Sequence, residues 1–140
     1  SLEQYVWNNF YRPLGFRSSG FNPTNFVSKK NIVPIEQDPY FRERLIRGSV
    51  HDPGAAMFGG IAGHAGLFSN AYEIAVLMQM IMNKGVINEK RFISASTIDL
   101  FTAYNSEISR RGLGFDKPEK DNKTIPHRLS SFVATLESLL

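Results

Sequence analysis

The chain has 140 residues, 42% of them hydrophobic and 21% charged, with a net charge of +3. That is one domain's worth of sequence with enough apolar content for a modest core, which excludes wholesale disorder. Absence of cysteine excludes a disulfide framework or a thiolate metal site and leaves the compartment open. The basic residues are scattered as Lys29-Lys30, Arg42/Arg44/Arg47 and Arg110-Arg111, with no interleaved aromatics to suggest a nucleic-acid groove. The longest apolar stretch, near Ile74 to Met82, is broken by Gln79 and too short to span a bilayer. No signal-peptide pattern opens the chain.

The first element is a helix from Ser1, with Leu2, Tyr5, Val6, Phe10 and Leu14 near helical spacing. Ser1 suits the N-cap, Glu3 and Gln4 suit the first turn, and Pro13 stops the helix. Residues 16–40 read as a long ordered loop, with a short strand at Ile32 to Ile35. Ordered loops of that length usually line or cover something. His51-Asp52-Pro53-Gly54 reads as a turn. The clearest helix follows Asn70, where Glu73 three residues on completes a capping-box pattern and Ser69 is the alternative cap. Ile74, Leu77, Met78 and Ile81 form its apolar stripe, and Gly85 stands where a C-terminal glycine belongs. A further helix is expected over Ser96 to Tyr104, capped by Ser94 or Ser96, then a strand at Arg111 to Asp116. A polar surface loop follows, and Leu129, Phe132, Val133, Leu136 and Leu140 close the chain at helical spacing.

The glycine-rich "GGIAGHAGLFSN", Gly59 to Asn70, is the most informative segment. It is not a P-loop, because no lysine lies near Gly66, and Gly60, Gly63 and Gly66 are each three apart, which breaks the dinucleotide fingerprint. His51, His64 and His127 show no ligand spacing, and no metal site is expected. His64 is open to two readings: a hydrogen-bonded loop histidine, or the wall of a cleft that glycines let a ligand approach. No Gly-x-Ser-x-Gly elbow, Ser-x-x-Lys, Tyr-x-Asn or Lys-Thr-Gly occurs, so no catalytic residue is nominated.

The run from Ala62 to Ser69, "AGHAGLFS", nevertheless resembles the Gly-rich loop of the serine β-lactamase and penicillin-binding-protein-like family, especially its esterase and class C-like branch. In this resemblance Asn70-Ala71 stand for Thr-Ala, and Glu73-Ile74-Ala75 for Asp-Leu-Ala. "VHDPGAAMFGG" is similar to the lead-in Val-His-Asp-x-Asn-Ala, with Gly54 in place of asparagine. "SLEQYVWNNFYRPLGF" resembles the segment after the family's Tyr-x-Asn, and "RRGLGFD" the strand before its Lys- or His-Thr-Gly.

The resemblance implies a single incomplete domain over 1–140, lying between those motifs within a larger serine hydrolase that acts on ester, amide or peptidoglycan-type substrates. The implied fold is the helical part of the α/β transpeptidase-like architecture: mainly α, with long loops and one or two short strands. His64, Ala65, Gly66 and Leu67 would form the substrate-cleft wall, supported by His51, Asp52, Ser69 and Asn70. The partners would be the rest of the hydrolase and a small acyl substrate, with no cofactor. Without that remainder, apolar faces such as Ile74/Leu77/Ile81 and Leu136/Leu140 would drive self-association. Family members are often exported to the bacterial envelope. The contrasting reading is a non-catalytic interaction module, or an accessory domain of a glycoside hydrolase.

Overall fold

The computed structural model describes residues 1–103 together with residues 108, 112, 113 and 115. It divides into two compact units, one running from Ser1 to Ile74 and one beginning at Ala75. The expected helix after Leu129 lies outside the described residues, as does most of the expected strand at Arg111 to Asp116.

The first unit begins with helix α1, Leu2–Val6. Ser1 caps it as its sequence suggests: its hydroxyl accepts from the Gln4 N–H while the Gln4 side chain accepts from the Ser1 amino terminus. The helix then widens into a π-turn over Trp7–Tyr11. Asn9 supplies the reason, because its Nδ2 donates at 2.8 Å to the Tyr5 carbonyl. That carbonyl is the acceptor an α-helical ladder would assign to the Asn9 N–H, so the side chain competes with the backbone. Arg12 N–H accordingly reaches back five residues to the Trp7 carbonyl. Tyr11 and Phe16, both buried, stack with ring centroids 5.8 Å apart.

The segment read as one long loop is more structured than its composition suggests. Strand β1, Gly20–Phe21, precedes two short 3-10 turns at Pro23–Asn25 and Lys29–Asn31. The strand expected at Ile32 to Ile35 forms slightly later, as β2, Glu36–Asp38. It pairs antiparallel with β3, Arg44–Ile46, and Ile46 is almost completely buried. Asp38 closes the hairpin. Its carboxylate accepts from the backbone N–H groups of Tyr40, Phe41 and Arg42 and from Arg42 Nε, all within 3.1 Å.

The turn expected at residues 51–54 opens helix α2, Pro53–Met57, with Asp52 as N-cap and Pro53 at the first helical position. Strand β4, Leu67–Phe68, then pairs with β1, setting Phe21 opposite Leu67 and Gly20 opposite Phe68. Six strands of two or three residues, in three antiparallel pairs, thus occupy the described residues where one or two were expected. Elements this short carry no readable period, which is why they escape the sequence pattern.

Helix α3 runs from Ala71 to Met82, and the boundary between the units falls within it. The Glu73 N–H donates to Asn70 Oδ1 at 2.9 Å, which fixes Asn70 rather than Ser69 as the capping side chain. Its residues Ile74, Leu77, Met78 and Ile81 are half-buried, while Glu73 and Met80 are the fully buried ones.

The second unit continues from α3 through Gly85 into hairpin β5, Val86–Ile87, and β6, Lys90–Arg91. Asn88 and Glu89, at φ 47° and 64°, form its two-residue turn, as a primed hairpin turn requires. Gly85 has φ +85°, and a Cβ there would fall 2.0 Å from the Ile93 carbonyl oxygen, so only glycine fits. Helix α4, Ala95–Thr102, is capped by Ser94, whose hydroxyl accepts from the Thr97 N–H at 3.1 Å. Ile98 and Thr102 are buried one turn apart on this helix.

Candidate functional site

The first unit holds a cavity of about 420 Å³. One wall comes from the glycine segment and the residues after it: Ala65, Gly66, Leu67, Phe68, Ser69 and Asn70. The rest of the lining is mostly apolar, built from Pro23, Val27, Ile32, Val33, Pro34, Ile35 and Val50, with Ser18, Asn31 and His51 as its polar members. The loop over residues 23–35 therefore lines something, as its length led one to expect.

Gly66 sits where the two limbs of the glycine segment pass closely. Its φ is +112°, and a Cβ would lie 2.3 Å from the Gly60 carbonyl oxygen and 3.3 Å from the Phe21 ring. The glycine's role here is the close approach of its own chain, which folds the Gly59–Asn70 segment back and delivers Leu67 to β4.

Three of the four residues assigned to the cleft wall, Ala65, Gly66 and Leu67, line the cavity. His64 does not. Its Nε2 lies 3.0 Å from Asp52 Oδ1, with the ring largely exposed. The same Asp52 oxygen accepts the Ala55 N–H at 2.6 Å, so one carboxylate both caps α2 and ties the histidine loop to it. The Ala55 N–H, with the His64 hydrogen bond second, holds Asp52 below the usual carboxylate range. His51, Ser69 and Asn70, read as supporting residues, are themselves in the cavity lining, with His51 Nε2 3.9 Å from Glu36 Oε2. Asp52 is not in the cavity lining.

Two arrangements went unread in the sequence. The first is a buried polar chain. The Glu73 carboxylate accepts from the Arg17 N–H at 2.8 Å, the Ser18 N–H at 3.0 Å and the Ser19 hydroxyl at 2.5 Å. Ser19 Oγ in turn lies 2.6 Å from Ser69 Oγ, at the cavity. Glu73 matched a capping-box position, but its carboxylate serves residues 17–19 instead, more than 50 positions away, which no local pattern announces.

The second is a clamp. Arg42, besides its pairing with Asp38, donates from its guanidinium to the carbonyls of Val50 and His51. This ties the β2–β3 hairpin to the segment at Val50 and His51, two lining residues. Backbone donation from Phe41, then the Arg42 side chain, keeps the Asp38 carboxyl far below its ordinary range despite burial. Here a signal existed, since aspartate followed by proline is a turn-initiating pair.

Among the described residues, no three histidine or acidic side chains gather as a metal would require. No helix there is long and apolar enough to cross a membrane.

The chain is similar to curated bacterial proteins that bear the name "Putative D-alanyl-D-alanine carboxypeptidase". Identity is 37% with the protein from Escherichia coli O157:H7, 36% with that from Escherichia coli strain K12 and 33% with that from Salmonella enteritidis PT4, each over 126 residues. Each alignment covers 81% of this chain and 29% of the relative, so the chain spans less than a third of the curated proteins it matches. No protein-family model and no solved structure matches it. The similarity supports a penicillin-binding-protein or β-lactamase-like family at that coarse level and does not single out a class C-like branch.

Proposed function

We propose that this chain forms part of the substrate-cleft wall of a peptidoglycan-acting serine hydrolase, its cavity receiving one end of a peptide-like acyl substrate. The observation that carries this reading is the cavity itself, which gathers Ala65, Gly66, Leu67, Ser69 and Asn70 with a mostly apolar remainder of the lining. Pockets of that kind, mostly apolar with a few convergent polar groups, are the usual form of a small-ligand site. The relatives' name favours a peptide amide over an ester as the bond acted on.

In this reading the nucleophilic serine and its lysine come from the remainder of a protein of the relatives' length, because this chain has no Ser-x-x-Lys. The serine would attack the acyl carbonyl with a neighbouring base taking its proton, and backbone N–H groups would hold the oxyanion. The present residues bind and orient. Val27, Ile32 and Leu67 exclude water from one end of the substrate, and Gly66 lets the wall approach it. His64, through Asp52, keeps the loop in place.

Acylation by a fluorescent penicillin tests the proposal. A protein that carries this segment and the serine should label, whereas the 140-residue chain alone should not. Ala65→Leu, which fills the cavity from its wall, should slow labelling by up to about a hundredfold, the order expected when a substrate is displaced by about 1 Å. Labelling of the 140-residue chain, or an unchanged rate in Ala65→Leu, would overturn it.

A further inference from the structure

The polar chain behind the cavity fixes which way a hydroxyl points. Glu73 is a fully buried side chain, and the backbone N–H groups of Arg17 and Ser18 can only donate to it. Ser19, 2% exposed, donates its single hydroxyl hydrogen to Glu73 Oε2 at 2.5 Å. Ser19 has then nothing left to give, yet its oxygen lies 2.6 Å from Ser69 Oγ. A hydrogen must lie between two oxygens that close, so it belongs to Ser69. The other acceptor within reach of Ser69, the adjacent Asn70 carbonyl at 3.4 Å, is too distant to compete.

We infer that Glu73, acting through Ser19, turns Ser69 into an obligate hydrogen-bond acceptor at the cavity wall, so that the site selects a ligand offering an N–H beside an apolar group. Ser69 keeps its lone pairs toward the cavity and has no hydrogen to offer it. A peptide amide meets this demand. The corresponding ester, whose linking oxygen cannot donate, leaves the hydroxyl unanswered. Glu73 and Ser19 are positioning residues, since neither lines the cavity. This inference rests on the peptide-cleft reading for its ligand, but the direction of the hydroxyl does not.

The two parts separate experimentally. In the full chain, proton NMR should show a Ser69 hydroxyl resonance protected from exchange and lost in Ser19→Ala. A freely exchanging Ser69 hydroxyl in the folded wild type would overturn the inference. Binding is then read by shift titration with N-acetyl-D-alanyl-D-alanine and with two depsipeptide analogues, each replacing one N–H by oxygen. One analogue should bind roughly threefold to tenfold more weakly than the amide, the range for a single neutral hydrogen bond. Ser69→Ala should bring that ratio below twofold. Glu73→Gln, whose amide can donate to Ser19 and so reverse the chain, should also abolish the preference while keeping the side chain's volume. Equal binding of all three probes by the wild type would overturn the inference. Failure of every probe to bind, with the protected hydroxyl in place, would instead sink the peptide-cleft proposal.

Discussion

Gly66→Ala isolates the geometry that builds the cavity wall. At φ +112° an alanine enters a backbone region that side chains rarely adopt, and its Cβ would stand 2.3 Å from the Gly60 carbonyl oxygen and 3.2 Å from its carbon. Both obstacles are main chain, so relief requires shifting one limb of the glycine segment rather than rotating a side chain. Backbone strain of this kind costs on the order of 1–3 kcal/mol and forced repacking adds a similar amount, so a loss of about 3 kcal/mol is expected. For a chain of this size that corresponds to a fall in Tm of roughly 10 °C. Gly63→Ala is the control. It lies three residues earlier in the same segment, where a Cβ would meet nothing within 4 Å. Its effect should be neutral or slightly stabilising, through reduced freedom of the unfolded chain. Urea unfolding followed by far-ultraviolet circular dichroism measures both. If Gly66→Ala came within about 0.5 kcal/mol of Gly63→Ala, the close approach would not be what Gly66 is for.

Three further outcomes follow from particular contacts. Asp38 and Asp52 are both held below their ordinary range, so their stabilisation is complete above an unfolded value of about 3.9 and is lost as pH falls below it. Unfolding midpoints between pH 2 and 7 should therefore drop on the acid side, less steeply in Asp38→Asn, and an unchanged slope in that variant would refute the assignment. Ser94→Ala removes the hydroxyl that caps α4 and should cost about 1 kcal/mol in the same unfolding assay, with Ser96→Ala near neutral; the reverse order would place the cap wrongly. Tyr40, Met57, Phe58 and Tyr72 are well exposed, so the chain should associate as its concentration rises in sedimentation velocity. A monomer at every concentration that binds no apolar dye would contradict this.

How far the sequence could be read depended on the range over which each residue acts. The Ser1 cap, α3 with its Asn70 cap and the Ser94 cap are decided within four residues, and each was visible as a local pattern. The β1–β4 pair joins two-residue strands separated by the whole cavity-lining loop, and nothing local marks either strand. The candidate wall was legible at Ala65, Gly66 and Leu67 because the glycine run itself is a local signal. His64 drew attention for the same reason, yet Asp52, twelve residues earlier, decides where it points.

Glu73 shows why a local match can be correct and still incomplete. The capping pattern identified the right helix start, since the Glu73 N–H does bond to Asn70. In an exposed helix the side chain would turn back to the cap's own N–H. Here burial changes the balance: a carboxylate removed from water needs several strong donors, and Arg17, Ser18 and Ser19 together supply more than one cap N–H could. The helix start and the loop at 17–19 are thereby locked to one another, and the hydroxyl of Ser69 is oriented as a consequence of that need. A fold-stabilising interaction and a recognition feature of the cavity then share the same groups, Glu73 and Ser19. A substitution that satisfies the buried carboxylate's volume but not its charge should alter ligand preference before it alters the fold.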